Sequence, residues 1–335
     1  MKFEDFIEKM KKALKNHYGD GHHVRVAVIK KNNNLVLHGI SVMPSGPDRK
    51  GTEISPTVYL EEYYKQYEEG ISFSELVQHV IDLYEKHRIN VNFDMNFFLE
   101  YEKVKEKIVY KLINYKKNEE LLEEIPHIRF LDMAVVFYYY MENEIFGTAS
   151  ILIYNTHMHS WEITLDTLYA DAKKNTPVLL QSRMRNMEEI MLELLQKNIK
   201  DKYSSFKKAD GEEPWMAEIA DQMMDYIFGD RSQMPMYVLT NESGQYGAAC
   251  ILYPEILEEF SRKMECGLYI LPSSVHEVIL IMDKDIDNPD SLKEMVEDVN
   301  RTQLAPEEVL SDQVYYYNRA NKKIEICGKR CDHVM

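Results

Sequence analysis

Phe3, Phe6, Ile7, Met10, Ala13 and Leu14 recur at helical spacing, which predicts an amphipathic helix over residues 3 to 18 that ends near Gly19. The period then changes to two. His23 to Lys30 and Leu35 to Met43 alternate apolar and polar residues around Asn32-Asn33-Asn34, the pattern of a hairpin with a tight turn. Thr57 to Leu60 reads as a short strand, and Glu61 to Glu69 as a tyrosine-rich helix closed by Gly70. Ser72 or Ser74 caps a further helix whose Leu76, Val77, Val80, Ile81 and Tyr84 share one face, with Glu75 placed for a capping box with Ser72. Residues 1 to 90 therefore form an αββ(β)αα unit.

Residues 91 to 126 are expected to be a helical bridge, with one or two charged helices over 95 to 124 stopped by Pro126. The six lysines between Lys103 and Lys117 fit the solvated face of such a helix. From His127 the pattern turns β-rich. Phe130 to Met141 and Thr148 to Tyr154 flank Glu142-Asn143-Glu144 as a second hairpin. Ser160 or Thr164 opens a helix through Lys174 with Pro177 beyond its end, and another helix covers Asn186 to Asp201. A hydrophilic loop at Lys207 to Pro214 precedes a helix at Trp215 to Phe228. Beyond it come a strand at Met236 to Leu239 and a helix from Ala248 to Met264.

Leu268 to Met282 reads as two apolar strands joined at Pro272-Ser273-Ser274, with His276 and Glu277 opening the second. A helix at Ser291 to Asn300 and a last strand pair, Gln313 to Tyr317 and Lys323 to Cys327, complete the chain. Hairpins outnumber any βαβ pattern, so the expected class is α+β with largely antiparallel sheets. Two units, residues 1 to 90 and 127 to 335, flank the bridge.

Composition narrows the function. The 335 residues carry 40 Lys and Arg against 56 Asp and Glu, a formal net charge of -16 that disfavours nucleic acid and anionic membrane. Four cysteines are too few for a disulfide framework in a chain this long. Charge appears from Lys2 onward with no apolar signal core, and no run approaches a membrane span. The expected location is cytoplasmic.

Ser55-Pro-Thr-Val-Tyr-Leu-Glu61, Asn241 with Tyr246-Gly247-Ala248-Ala249, Leu271-Pro-Ser-Ser-Val-His-Glu-Val278 and Glu308-Val-Leu-Ser-Asp312 together resemble the domain-of-unknown-function family 5688. That resemblance covers nearly the whole chain. It implies a bacterial, cytoplasmic protein and brings no reaction, cofactor or site residue with it.

Candidate chemistry is sparse. Ser273 or Ser274 as nucleophile, His276 as base and Glu277 as its partner is the sharpest enzymatic reading, but strand neighbours face opposite sides and no Gly-x-Ser-x-Gly elbow exposes the serine. A distant acid could take the place of Glu277. The plainer reading is a Pro-Ser-Ser turn with local hydrogen bonds. His157 and His159, two apart on a segment expected to be extended, would share a face and could hold a metal, with no further ligand motif to complete the set. Cys327, Cys331 and His333 form a loosely spaced C-terminal cluster. Phosphate-binding loops are absent, and Gly244-Gln-Tyr-Gly247 before a helix offers at most an anion site.

The triplets Tyr138-Tyr-Tyr140 and Tyr315-Tyr-Tyr317 each run along a strand, which places at least one ring per triplet on the opposite face. Exposed, such rings would suit a protein interface; under the chain's own helices they would be core. With no cofactor signature, the leading expectation is a non-enzymatic protein-binding or regulatory module that takes a protein partner or self-associates. The alternative is a hydrolase or metal-dependent enzyme centred on His276 and Glu277.

Overall fold

The computed structural model describes residues 1–45, 52–54, 56–86, 89–93, 95–143, 147–204, 235–286 and 288–328. Helix α1 (Phe3–Tyr18) buries Phe6, Met10 and Leu14 completely against the hairpin β1 (His22–Lys30) and β2 (Val36–Pro44). The strands pair antiparallel from His22↔Pro44 to Lys30↔Val36. A short pair, β3 (Thr52–Ile54) with β5 (Ile89–Phe93), and β4 (Val58–Tyr59), which extends β2, accompany two helices, α2 (Leu60–Glu68) and α3 (Phe73–Lys86). The Ser72 capping box is formed. Glu75 Oε2 accepts from the Ser72 backbone N–H at 3.1 Å, and Ser72 Oγ accepts from the Glu75 N–H at 3.3 Å.

The stretch expected to be wholly helical differs. It runs through short turns and α4 (Tyr101–Val104) into a strand, β6 (Ile108–Asn114), before α5 (Glu119–Glu124). Every residue of β6 is buried except Lys111, which is partly buried. Burial on both faces removes the alternation that marks a half-exposed strand, leaving an apolar run with one lysine inside it.

Strand β6 pairs with β8 (Met133–Asn143), which also holds β7 (His127–Phe130) and β9 (Gly147–Leu152) along its other edge. Two helices follow, α6 (Asn155–Trp161) and α7 (Leu165–Leu179), the latter capped by Thr164 and continuing through Pro177 instead of ending before it. The free edge of β6 is covered by α7. Thr176 Oγ1 accepts from the Tyr110 backbone N–H at 3.1 Å, and the Asn175 amide donates to the carbonyl oxygens of Lys105 and Ile108.

A six-stranded sheet takes in β10 (Ser182–Asn186), which leads into α8 (Met187–Ser204), together with β11 (Met236–Asn241), β12 (Leu268–Pro272), β13 (Val278–Met282), β14 (Tyr315–Asn318) and β15 (Lys323–Ile326). Its order is β10-β11-β13-β12-β14-β15, and every pairing is antiparallel. The protein is α+β with largely antiparallel sheets. The helix expected over 248–264 is two pieces, a 3-10 segment at Gly247–Leu252 and α9 (Ile256–Met264), separated by Tyr253-Pro254-Glu255. Pro254 has no N–H to continue the ladder. Helix α10 (Asp290–Thr302) lies against β12. The expected loop at 207–214 and helix at 215–228 lie outside the described residues, as do Cys331 and His333.

Both tyrosine triplets are largely core. Tyr138, Tyr139, Tyr315 and Tyr317 are buried, because helices or the neighbouring sheet cover both faces of their strands. One end of Tyr315 is fixed by Asp132, whose carboxylate accepts from the Tyr315 and Ser311 hydroxyls at 2.6 Å each.

A candidate ligand cleft at the hairpin tip

The β1–β2 turn reaches away from α1 to a cleft of about 300 Å³ built from distant parts of the chain. Asn33 and Asn34 both adopt positive φ at this turn, a conformation asparagine tolerates better than most residues. The tip is held by side-chain amides. Asn118, fully buried, accepts from the Asn33 N–H at 2.8 Å and returns a bond to Asn33 Oδ1 at 2.9 Å. The Asn33 amide donates to the carbonyl oxygens of Pro306 and Val309, and the Asn32 amide to that of Glu307.

The floor is the face of the β6–β9 sheet that carries Lys111, Ile113, Val136 and Leu152. Lys111 projects from β6 directly opposite Val136, and its ammonium lies 3.9 Å from the centre of the Tyr246 ring and 5.5 Å from that of Tyr138. Tyr246 has a left-handed backbone, φ 56°, strained for a bulky side chain and held by the packing around it. Its neighbour Gly247 has no room for a side chain. A Cβ there would meet the Thr240 hydroxyl, and the Asn241 nitrogen and His276 carbonyl oxygen at 2.6 Å each.

His276 closes the wall. The Tyr246 backbone N–H donates to its Nδ1 at 3.2 Å, the two rings stack at 5.6 Å, and Nε2 faces Glu308 Oε1 at 3.8 Å. With Nδ1 an acceptor, the ring hydrogen of the uncharged imidazole sits on Nε2, toward Glu308. Three backbone contacts lock the loop: the Thr240 hydroxyl donates to the His276 carbonyl oxygen, the Ala248 N–H to that of Val275, and the Val275 N–H to that of Glu308.

His276 and Glu277 lie in the loop between β12 and β13, not at the start of a strand, because β13 begins at Val278. Glu277 does not meet the imidazole; its carboxylate accepts from the Ser273 hydroxyl at 3.3 Å. Ser274 Oγ accepts from the His276 backbone N–H at 3.0 Å. The acid facing His276 is Glu308, from a segment 32 positions later. Residues 244 to 247 offer no free helix terminus, since the Tyr246 and Ala248 N–H groups are engaged with His276 and Val275 and only a short 3-10 segment follows.

His157 and His159 are on a helix, α6, and not on an extended segment. Positions two apart on a helix point about 200° apart around its axis, so the two imidazoles do not share a face. The Tyr154 backbone N–H donates to His157 Nδ1 at 3.0 Å, and the ring stacks with Trp161 at 5.7 Å, while His159 is exposed. Among the described residues, no three His, Cys, Asp or Glu side chains are grouped to hold a metal.

Burial lowers the pKa of His157 below 6.5. Its folded value is thus below its unfolded one, and the stability tied to the neutral ring is complete above pH 6.5 and lost as pH falls through the folded value. His157→Gln keeps an acceptor for the Tyr154 N–H and removes this titration. Urea unfolding between pH 7.5 and 5 is expected to show a shallower acid loss for the variant than for the parent; identical slopes would contradict the assignment.

A profile described as a family of unknown function, DUF5688, matches residues 3–319. The chain belongs to this family. No curated protein and no solved structure matches it. Within this DUF5688 chain, sequence reasoning found His276 but missed Lys111, Tyr246 and Glu308. For Lys111 a signal existed, a lone lysine inside the β-prone run Ile108-Val-Tyr-Lys-Leu-Ile113. None of the described helices is long and apolar enough to cross a membrane.

Proposed function

We propose that this DUF5688 chain is a non-enzymatic binding module and that the cleft under the hairpin tip is its ligand site. The use made of His276 carries the reading. Its Nδ1 is occupied by the main chain, its ring by Tyr246, and its Nε2 faces Glu308, while Ser273 and Ser274 bond to Glu277 and to the loop backbone. Neither serine hydroxyl of the loop is hydrogen-bonded to the imidazole, as nucleophilic catalysis would need. The cleft instead joins a mixed polar and apolar lining that includes three lysines, the makeup of a small-molecule pocket at the lower end of the usual volume range.

A ligand seated there touches the hairpin tip, the β6–β9 sheet and the 306–308 segment together. Its presence then sets how firmly the tip is held, and through that regulates a protein partner or self-association. Native mass spectrometry of the full chain after exchange against a metabolite extract tests the reading. The expected result is one small molecule retained at a 1:1 ratio and released at unchanged mass. Release of a product that accumulates with time would overturn the non-enzymatic reading, and failure to retain any molecule would overturn the cleft as a ligand site.

A further inference from the structure

We infer that the ligand of this cleft is a small monocarboxylate with an apolar or aromatic body, its carboxylate paired with Lys111; this rests on the reading of the cleft as a ligand site. Three lysines line the space, and they are not equivalent. Lys30 donates to Glu120 Oε2 at 2.8 Å, and the Lys31 ammonium lies 4.6 Å from the centre of the Tyr59 ring; neither Glu120 nor Tyr59 lines the cleft, whereas Tyr246, the ring beside the Lys111 ammonium, does. Lys111 rises from a strand otherwise buried and its ammonium faces the Tyr246 and Tyr138 rings, with no carboxylate of the described residues within ion-pair distance. An aromatic face attracts the cation without accepting its hydrogen bonds. Three N–H donors beside an apolar floor are therefore available to an acceptor.

The charge of the wall selects the anion. Glu307 and Glu308 line the same cleft, so a dianion such as a phosphate monoester would face two carboxylates, with Lys30 already paired to Glu120 and the Lys31 ammonium drawn to Tyr59, which leaves Lys111 to offset it. Nor is an Arg side chain or a free helix terminus of the described residues among the lining groups to share such a charge. A single carboxylate matches a single ammonium. Ile113, Val136 and Leu152 form the floor beneath it, which suits an apolar or ring-shaped remainder, and Tyr154 and Tyr246 flank that space.

Isothermal titration of the full chain with benzoate, benzamide, phenyl phosphate and benzylammonium tests the assignment. Benzoate is expected to bind at least about tenfold more tightly than the other three, a difference of one ion pair in a partly enclosed site. Lys111→Met, which keeps the length and apolar stem of the side chain, is expected to remove that preference while leaving the midpoint of thermal unfolding within a degree or two. Benzamide binding as tightly as benzoate, an unchanged benzoate affinity in Lys111→Met, or a preference for phenyl phosphate would overturn the assignment. Preference for benzylammonium would also overturn it, placing the charge recognition at Glu308 while keeping the cleft as a ligand site. If no probe binds, the carboxylate assignment fails, and the metabolite exchange decides the binding reading on its own.

Discussion

Gly247→Ala is expected to destabilise the protein by about 3 kcal/mol, the upper part of the range for forcing atoms into a filled interior. The added methyl would lie 2.6 Å from two backbone atoms, the Asn241 nitrogen at the end of β11 and the His276 carbonyl oxygen, besides meeting the Thr240 hydroxyl. A side chain can swing aside, but these backbone atoms belong to a strand end and to a loop held at Val275 and His276. Relief requires moving the loop, which pulls His276 off the Tyr246 N–H and out of register with Glu308. Urea unfolding of Gly247→Ala against the parent is the measurement. A loss under about 0.5 kcal/mol, the scatter of ordinary surface changes, would mean that the cleft wall is far more yielding than its contacts indicate.

Asn118→Ala is the second large effect, expected at about 2–3 kcal/mol from buried polar groups left without partners. The substitution removes the acceptor of the Asn33 N–H and the donors to Asn33 Oδ1 and the Asn114 carbonyl oxygen, all at 2.8–2.9 Å. Asn33 keeps its bonds to Pro306 and Val309, so the tip should loosen without leaving altogether. Hydrogen exchange gives the local readout: the Asn33 amide is expected to lose protection beyond the global change. Glu120→Gln serves as the contrast. It weakens the exposed Lys30–Glu120 pair beside the same tip, and no measurable change in stability is expected from so solvated a contact. Equal effects from the two variants would show that the buried amide pair does not anchor the hairpin.

Much of the architecture is legible where one face of an element is solvated. The 3.6-residue spacing of Phe6, Met10 and Leu14, the alternation on either side of Asn32-Asn33-Asn34 and the Ser72–Glu75 capping box each map onto an observed feature. Strand β6 is illegible for the opposite reason. Burial on both sides erases its alternation, and the charged residues around it, Lys103 to Lys107 and Lys116-Lys117, imitate the rhythm of a solvated helix. The helix α6 misleads in another way, since His157 and His159 suggest a shared face only if the segment is extended.

The sequence by itself determined the α+β class, the antiparallel hairpins and the absence of a familiar nucleotide-binding loop, because these depend on residues that are neighbours along the chain. Only the tertiary structure decided which acid faces His276 and which lysine stands over the apolar floor. Glu308, Tyr246 and Lys111 line one cleft although Lys111 lies on a strand and the other two lie in separate connecting segments far along the chain. Side chains 62 to 197 positions apart leave no periodic trace of their meeting, since the contact is fixed by long-range packing and backbone hydrogen bonds and not by local spacing.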